Sequence, residues 1–286
     1  MDAYDAGRLS RSFEPLFSAK YFAPGFKDGF TALGMDSRMS YFAARAAPMG
    51  AVGAKVVTAT FYYFNPDLVA EHIPAAWQVA EPDVVSRLHQ EILDSGLPSL
   101  LGPELAYSPE IAHVAGMLRR AADTISGVEG RPLYAGHAEL AWPEPAYSQL
   151  LHAFTLLREY RGDGHVIALA SLGLDGLEAH ITHTASGIGF AEEFALWQRG
   201  WTRPQWDEAV DRLRARGILT PDGALTNVGV TLRTKAEDLT DALGLQPWRA
   251  ITDDDAATLE RVAGALNRLA SLFPAGALGP RYGQHR

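Results

Sequence analysis

Charged and histidine side chains are concentrated in one short segment of the chain, Arg158-Glu-Tyr-Arg-Gly-Asp-Gly-His165. The segment lies between two apolar stretches that are both predicted to be helical. Gly162 and Gly164 favour a tight turn, and Asp163 is placed to cap the helix that follows. The pattern therefore predicts that His165 lies in the first turn of the second helix.

This arrangement predicts acid–base chemistry beside an anion-binding site. A helix N-terminus offers unpaired N–H groups and a partial positive charge, which keep a histidine there neutral. We therefore expect His165, Asp163 and Arg158 to be catalytic, with His165 transferring the proton. Arg158 or Arg161 would hold an anion. The alternative is structural: the aspartate only caps the helix, the arginines pair with neighbouring carboxylates, and the histidine packs in the interior.

Aromatic and histidine side chains elsewhere are candidate walls of a ligand pocket. The run Phe61-Tyr-Tyr-Phe64 combines apolar rings with hydroxyl groups, a mixture that is typical of small-molecule sites. His137 follows Arg131-Pro-Leu-Tyr-Ala-Gly and could reach the same space. The predicted ligand-binding residues are Arg161, Tyr62, Tyr63, Trp77 and His137.

The sequence contains no pattern that demands a metal or a cofactor. His180 and His183 have the i, i+3 spacing of two metal ligands on a helix, but no third ligand follows from the spacing. A packed or partly exposed pair is the alternative for these histidines. No phosphate loop, no Gly-x-Gly-x-x-Gly after a strand and no His-Glu-x-x-His occurs. We therefore predict no metal site and no cofactor.

Residues 201–243 carry the clearest local fold pattern. Thr202 is placed to cap a helix with Gln205 completing a capping box, and Gly217 is placed to end that helix. Asp222-Gly223 predicts a hairpin turn between short strands at 218–220 and 224–226, and Thr226 caps the next helix. Helix, strand, turn, strand and helix in this order are similar to the wing region of MarR-like regulators.

The charge of this region favours a scaffold or dimer element over DNA binding. Residues 206–241 contain seven acidic and five basic side chains, a local net charge of −2. The turn at 221–225 has no arginine or lysine. A DNA-binding wing needs basic side chains to neutralise phosphates. We therefore expect DNA binding to be the weaker alternative, although Arg212, Arg214 and Arg216 form a small basic group.

Composition indicates a globular protein with a substantial core. The 286 residues are 47% hydrophobic and 21% charged, and the net charge is −9. The absence of cysteine removes disulfides, thiolate metal sites and cysteine nucleophiles. No targeting segment and no apolar run of about 20 residues is present, so we expect a cytoplasmic protein without a membrane span.

The pattern of helices predicts a mainly α protein made of an arm and two halves. Residues 1–37 form an aromatic-rich N-terminal arm that either docks onto the body or acts as a lid or dimer-swapping arm. Residues 38–135 form an N-terminal helical half, and residues 136–286 form a C-terminal half that contains the winged helix. A faint similarity between the two halves suggests two winged-helix-like units with short β-hairpin wings, and a homodimer is compatible with this organisation.

Several motifs resemble an actinobacterial family of helix-turn-helix-like proteins. The motifs are Tyr41-Phe-Ala-Ala-Arg-Ala-Ala-Pro-Met-Gly, Phe61-Tyr-Tyr-Phe-Asn-Pro, Ile73-Pro-Ala-Ala-Trp77, Leu157-Arg-Glu-Tyr-Arg-Gly-Asp-Gly-His165 and Arg199-Gly-Trp201. The resemblance runs from about residue 38 to 248 and implies a winged-helix fold, while the family's general activity is unassigned. The first 37 residues are expected to be an addition to the family pattern, as in a specialised member.

These observations favour a pocket that takes a small organic metabolite. If the protein is an enzyme, the expected chemistry is acid–base catalysis in specialised metabolism by a cofactor-independent cyclase, isomerase or hydrolase. The principal alternative is a MarR-like transcriptional regulator whose DNA affinity responds to the ligand. A protein that binds the metabolite without turning it over is a third class.

Overall fold

The computed structural model describes residues 1–282, and these residues are mainly α-helical. The α-helices are, in chain order, α1 (Ala3–Ser12), α2 (Glu14–Ala19), α3 (Phe26–Leu33), α4 (Ser37–Ala46), α5 (Ala54–Phe61), α6 (Pro66–His72), α7 (Ala75–Val79), α8 (Pro82–Leu101), α9 (Pro103–Ala106), α10 (Pro109–Ala122), α11 (Pro132–Ala138), α12 (Ala146–Ser171), α13 (Gly176–Ala185), α14 (Glu192–Arg199), α15 (Arg203–Ala215), α16 (Asn227–Gly244) and α17 (Asp253–Leu266). Short 3-10 helices cover Lys20–Phe22, Ala47–Met49, Gln246–Ala250 and Asn267–Leu272. The prediction of a mainly α protein is confirmed.

Helix α12 is the central element of the fold. It has 26 residues, which corresponds to a length of about 39 Å, and its buried side chains cover most of its circumference. A helix that is apolar on nearly all sides has to lie inside the protein. Accordingly α12 packs against α2, α8, α10, α11 and α16. Every candidate site described below includes side chains of α12.

The predicted break at Gly162-Asp163-Gly164 does not occur, because α12 continues through it. Gly164 lies within the helix and allows neighbouring groups to approach its backbone closely; it does not form a turn. A Cβ atom at this position would lie 3.1 Å from Leu243 Cβ and closer still to the guanidinium of Arg131. The Arg131 guanidinium lies against this glycine and donates to the carbonyl oxygens of Tyr160 and Leu243. These two hydrogen bonds join α12 to the end of α16.

The N-terminal 37 residues are part of the main core. They form α1, α2, a 3-10 turn and α3, and their aromatic side chains point inward: Phe13 and Phe30 are fully buried, and Phe17 is 4% exposed. These aromatic side chains are thus docked onto the body of the protein, and the description of residues 1–37 as a separate arm stays a prediction. The Phe13 ring lies 5.4 Å from the ring of Phe154 on α12, measured between centroids.

Buried apolar side chains form two clusters. The larger cluster combines residues between 6 and 160 with residues between 248 and 269. The smaller cluster contains residues between 169 and 236, including Trp206, Leu213 and Ile218. The predicted division of the chain at residues 37 and 135 stays a prediction.

Two helix starts follow the sequence pattern closely. The Asn65 side chain accepts from the Asp67 N–H, with Pro66 at the first position of α6. Thr202 and Gln205 form the capping box of α15. Such caps depend on residues within four positions of one another, so the local sequence defines them.

The predicted hairpin strands at 218–220 and 224–226 do not form; an isolated antiparallel bridge joins Leu219 and Leu225 instead. Two backbone hydrogen bonds hold the loop, from the Thr220 N–H to the Ala224 carbonyl and from the Thr226 N–H to the Ile218 carbonyl. Pro221 has no N–H to extend the ladder. Within residues 1–282 no β-strand is formed. None of the helices in this range is long and apolar enough to cross a bilayer.

Replacing Phe30 with alanine should show that the N-terminal helices belong to the core. We expect the Phe30→Ala variant to lose about 3–5 kcal/mol in free energy of unfolding, because a fully buried ring is removed. The matched Phe22→Ala variant removes a ring that is 40% exposed and should lose about 1 kcal/mol or less. Urea unfolding measures both, and equal losses would contradict the docked arrangement.

Candidate functional site

The two predicted anion-binding arginines are engaged in ion pairs. Arg158 Nη1 lies 2.8 Å from Glu159 Oε2, and its Nε lies 3.4 Å from Glu14. Arg161 Nη2 lies 2.8 Å from Asp241 Oδ1 on α16. These contacts join α12 to α2 and to α16.

Asp163 is buried and caps a neighbouring helix, not its own. Its Oδ2 accepts from the backbone N–H of Tyr134 at 3.0 Å, within the first turn of α11. Burial raises the pKa of Asp163 to about 7, and the hydrogen bond from Tyr134 opposes this shift. The capping role predicted from the sequence is therefore real, but it was assigned to the wrong helix.

His165 has both ring nitrogens in hydrogen bonds. Its Nδ1 lies 2.7 Å from Thr240 Oγ1, and its Nε2 lies 2.8 Å from the Tyr63 hydroxyl. The Thr240 hydroxyl donates to the carbonyl of Ala236, so His165 Nδ1 must be the donor in the first contact. Nε2 then accepts from Tyr63. Burial lowers the pKa of His165 well below its usual value, which agrees with a neutral ring.

The other predicted ligand-binding side chains of this region make structural contacts. The Tyr62 hydroxyl donates to the Leu174 carbonyl at 2.6 Å, and Trp77 Nε1 donates to the Val52 carbonyl at 2.8 Å. The rings of His180 and His183 lie beside the Tyr63 ring, at centroid distances of 5.3 and 6.5 Å. In the described part of the chain, no group of three or more histidine, aspartate or glutamate side chains is arranged to hold a metal ion.

A separate pocket lies between α8, α11 and α12, and His137 is the predicted residue that belongs to it. Its cavity volume is about 50 Å³, measured as the space open to water centres. On the same measure one water molecule needs ~10–15 Å³. Half-buried side chains of its lining, among them Pro48, Ser86 and Leu140, form its rim. The lining residues are Lys20, Ala44, Pro48, Ser86, His89, Gln90, Leu93, His137, Leu140, Ser148, Leu151, His152 and Thr155. We refer to it as the histidine pocket.

Two helices contribute the same spacing of side chains to the histidine pocket. Helix α8 presents Ser86-x-x-His-Gln-x-x-Leu93, and α12 presents Ser148-x-x-Leu-His-x-x-Thr155. Positions i, i+3, i+4 and i+7 share one helix face, so each motif places three polar side chains toward the space between the helices. The Ser148 hydroxyl also donates to Asp94 at 2.5 Å and ties the two helices together. A search for polar residues at this spacing would have found the pocket.

The three histidines of the pocket are neutral. His137 Nδ1 lies 2.8 Å from the Leu133 carbonyl, which can only accept, so His137 Nε2 carries the lone pair. Nε2 of His89 and Nε2 of His152 are buried without a hydrogen-bond partner. Burial lowers the pKa of His89 to about 3 and those of His137 and His152 to about 4, and the charge of Lys20 lowers each of them further.

Lys20 supplies a buried amine to the same pocket. The residue is 3% exposed, and its Nζ lies 3.7 Å from the centroid of the Phe17 ring. Among the described residues it has no hydrogen-bond acceptor and no carboxylate partner. The nearby carboxylate of Glu159 is held instead by Arg45 and Arg158, with N–O distances of 3.3 and 2.8 Å.

The buried environment of Lys20 weakens its hold on a proton. Burial is the main reason that the pKa of Lys20 falls to about 7. The positive charges of Arg45 and Arg158 lower this pKa further, while Glu159 and Glu14 act in the opposite direction. Near neutral pH about half of the Lys20 amine is therefore unprotonated and has a free lone pair. Sequence analysis missed this residue, because a single lysine beside aromatic residues carries no motif.

These features define a helical protein with a loop of wing-like connectivity and a separate polar pocket. A family model described as a helix-turn-helix family matches residues 6–276, so the chain belongs to that helix-turn-helix family. The match includes most of the N-terminal 37 residues, and the expectation that they are an addition to the family pattern is wrong. No curated protein and no solved structure matches the chain.

The Lys20→Met variant should reveal the cost of burying a charged amine. Because an unfolded lysine keeps its proton up to a pKa of about 10.4 and folded Lys20 releases it near 7, wild-type stability should rise with pH between these values. The variant lacks this dependence. At pH 7 we expect the Lys20→Met variant to have a higher free energy of unfolding than the wild type. This difference should fall by roughly 2–3 kcal/mol between pH 7 and pH 9.

Urea unfolding at pH 6, 7, 8 and 9 measures this dependence, with the exposed Lys27→Met variant as the matched control. The stability difference between Lys27→Met and wild type should stay constant with pH. A constant difference for Lys20→Met as well would show that the buried amine is fully protonated throughout.

Proposed function

We propose that the protein binds a small organic metabolite in the histidine pocket and performs acid–base chemistry on it. The observation that carries this proposal concerns residues 1–282: within this range two buried histidine nitrogens of the pocket and the Lys20 amine have no hydrogen-bond partner. An unpartnered buried polar atom costs about 1–3 kcal/mol. A protein that tolerates two of them beside one cavity is suited to a ligand that supplies the missing hydrogen bonds.

The groups available in the pocket fit proton transfer. The Nε2 lone pair of His137 accepts a hydrogen bond from a hydroxyl, amine or acidic C–H group of the ligand, and the unpartnered Nε2 atoms of His89 and His152 donate or accept according to their tautomer. Lys20 exchanges a proton near neutral pH and serves as the base or, once protonated, as the acid. Isomerisation, cyclisation and hydrolysis all need a proton to be removed at one atom and returned at another. A protein that binds without turnover would use the same contacts.

The Arg158–His165 segment enters the proposal mainly as support for this pocket. Arg158 holds Glu159, and Asp163 fixes the start of α11, the helix that carries His137. Catalysis by His165, with Arg161, Tyr62, Tyr63 and Trp77 around a ligand, remains a second hypothesis. It requires the ligand to displace the Tyr63 hydroxyl from Nε2.

Ligand binding should be visible in the NMR signals of the histidine rings. We expect neutral hydroxyl-, amide- or carbonyl-bearing molecules of up to about six non-hydrogen atoms, a size set by the pocket, to shift the His89, His137 and His152 signals together. The signal of His113, which is exposed on α10, should not move. The His152→Phe variant keeps a ring beside Trp142 and should weaken binding about tenfold through one lost hydrogen bond.

The proposal is contradicted if none of the neutral molecules tested shifts the NMR signals of His89, His137 and His152. Thermal unfolding of His152→Phe serves as the control for its fold, and we expect it to be at least as stable as the wild type. Turnover of any bound molecule, followed by mass spectrometry, separates the enzyme from a protein that only binds.

Membership of a helix-turn-helix family favours a ligand-responsive transcriptional regulator as the second candidate. In a winged-helix arrangement α15 would be the DNA-reading helix, and the loop at 216–226 would be the wing. The arginines of α15 and the residue after it are, however, each paired with carboxylates: Arg203 with Glu192 and Glu193, Arg212 with Asp175 and Glu178, Arg214 with Asp211, and Arg216 with Glu178. We therefore favour a winged helix kept as a scaffold.

DNA binding should be weak. We expect a Kd above about 10⁻⁶ M for duplexes from the region upstream of the protein's own gene, because each arginine must leave a carboxylate to reach a phosphate. Fluorescence anisotropy at low and physiological salt measures this affinity. Nanomolar binding that Arg214→Ala weakens, and that Arg261→Ala on α17 leaves unchanged, would instead favour the regulator.

A further inference from the structure

We propose that Lys20 is a nucleophile that forms an imine with the carbonyl group of a small aldehyde or ketone bound in the histidine pocket. The inference rests on the proposed function, since it assigns a substrate class to the same pocket. Its geometric basis is the position of the Lys20 amine: it lines the cavity, is buried, and has no acceptor or counterion among residues 1–282.

Lys20 differs in environment from every other lysine of the chain. The sequence contains four lysines, and the other three, Lys27, Lys55 and Lys235, are exposed. An exposed lysine is almost fully protonated at neutral pH and has no lone pair for attack. Burial lowers the pKa of Lys20 to about 7, with Arg45 and Arg158 acting in the same direction and Glu159 against it, so a substantial part of the amine is neutral near pH 7. Such lysines are the ones that add to carbonyl groups.

The pocket offers hydrogen-bonding groups for each step of the reaction. The Lys20 nitrogen attacks the carbonyl carbon, a C–N bond forms, and the carbonyl π electrons move to oxygen. A proton passes from nitrogen to that oxygen with the help of the lone pair on His137, which gives a carbinolamine. A second proton moves from nitrogen to the hydroxyl group, the C–O bond breaks, and one water leaves. The overall change is amine plus carbonyl to imine plus water.

The lining selects an uncharged and small carbonyl compound. It contains no carboxylate and no arginine, and its three histidines are neutral at pH 7. An anionic substrate would have no fixed counterion inside the pocket once Lys20 is neutral. The volume accommodates a compound the size of several waters. Larger substrates would place only their carbonyl end inside, past the half-buried rim at Pro48, Ser86 and Leu140.

Reductive trapping tests the inference directly. The wild-type protein is incubated at pH 7 with propanal or butanone and sodium cyanoborohydride, and labelled lysines are located by peptide mass spectrometry. We expect one alkyl group on Lys20, formed more than about tenfold faster than on the exposed lysines, because the neutral fraction differs by orders of magnitude. Pyruvate should label Lys20 more slowly than propanal. The Lys20→Arg variant should lose this label, and Lys27→Arg should keep it.

The outcomes separate this inference from the proposed function. Histidine NMR signals are recorded with butanone without reductant, to report binding. If the pocket signals shift but Lys20 is not labelled, the imine is overturned and the pocket stands. Labelling of Lys20 at the rate of Lys27 also overturns the imine. If neither carbonyl probe shifts the signals or labels Lys20, the imine is overturned. The proposed function fails as well only when the wider set of neutral molecules gives no shifts.

Discussion

The fold depends on the compensation of one buried negative charge, that of Glu159. Its side chain is fully buried at the middle of α12, where an unpaired carboxylate would cost several kcal/mol. Arg45 from α4 and Arg158 from α12 surround it, and their guanidinium groups lie over the rings of Phe61 and Phe17 at 4.4 and 4.2 Å. The arginines hold the pKa of Glu159 well below its usual value. This cluster fixes the positions of α2, α4 and α12 relative to one another.

The same cluster acts on the amine of the histidine pocket. Glu159 is shared between two arginines, and Lys20 has no carboxylate partner of its own among residues 1–282. Burial is the main cause that lowers the pKa of Lys20; Glu159 opposes this shift, and Arg45 and Arg158 add to it. A lysine in a direct ion pair with a carboxylate would hold its proton more strongly. The two arginines therefore offset the attraction of Glu159, and the effect of burial on Lys20 is retained.

Sequence patterns predicted the local features of this protein and missed those that depend on distant partners. The caps at Thr202 and Thr226 were predictable because donor and acceptor lie within three residues. The interior of α12 was misread, because Gly164 accommodates Arg131, a residue 33 positions away, and does not form a turn. His137 was identified as a ligand-binding candidate, but Lys20 was not, since its burial follows from helices spread over 130 residues.

Helix α15 and the histidine pocket lie in different parts of the structure and contact different apolar clusters. Trp206 and Leu213 of α15 belong to the smaller apolar cluster, whereas Ala44 and Leu151 of the pocket belong to the larger one. Helix α12 passes through both, with Thr155 at the pocket and Leu169 in the smaller cluster. Buried side chains follow α12 over its whole length, so one helix links the two clusters. The position of the pocket therefore depends on the packing of the larger cluster and not on that of α15.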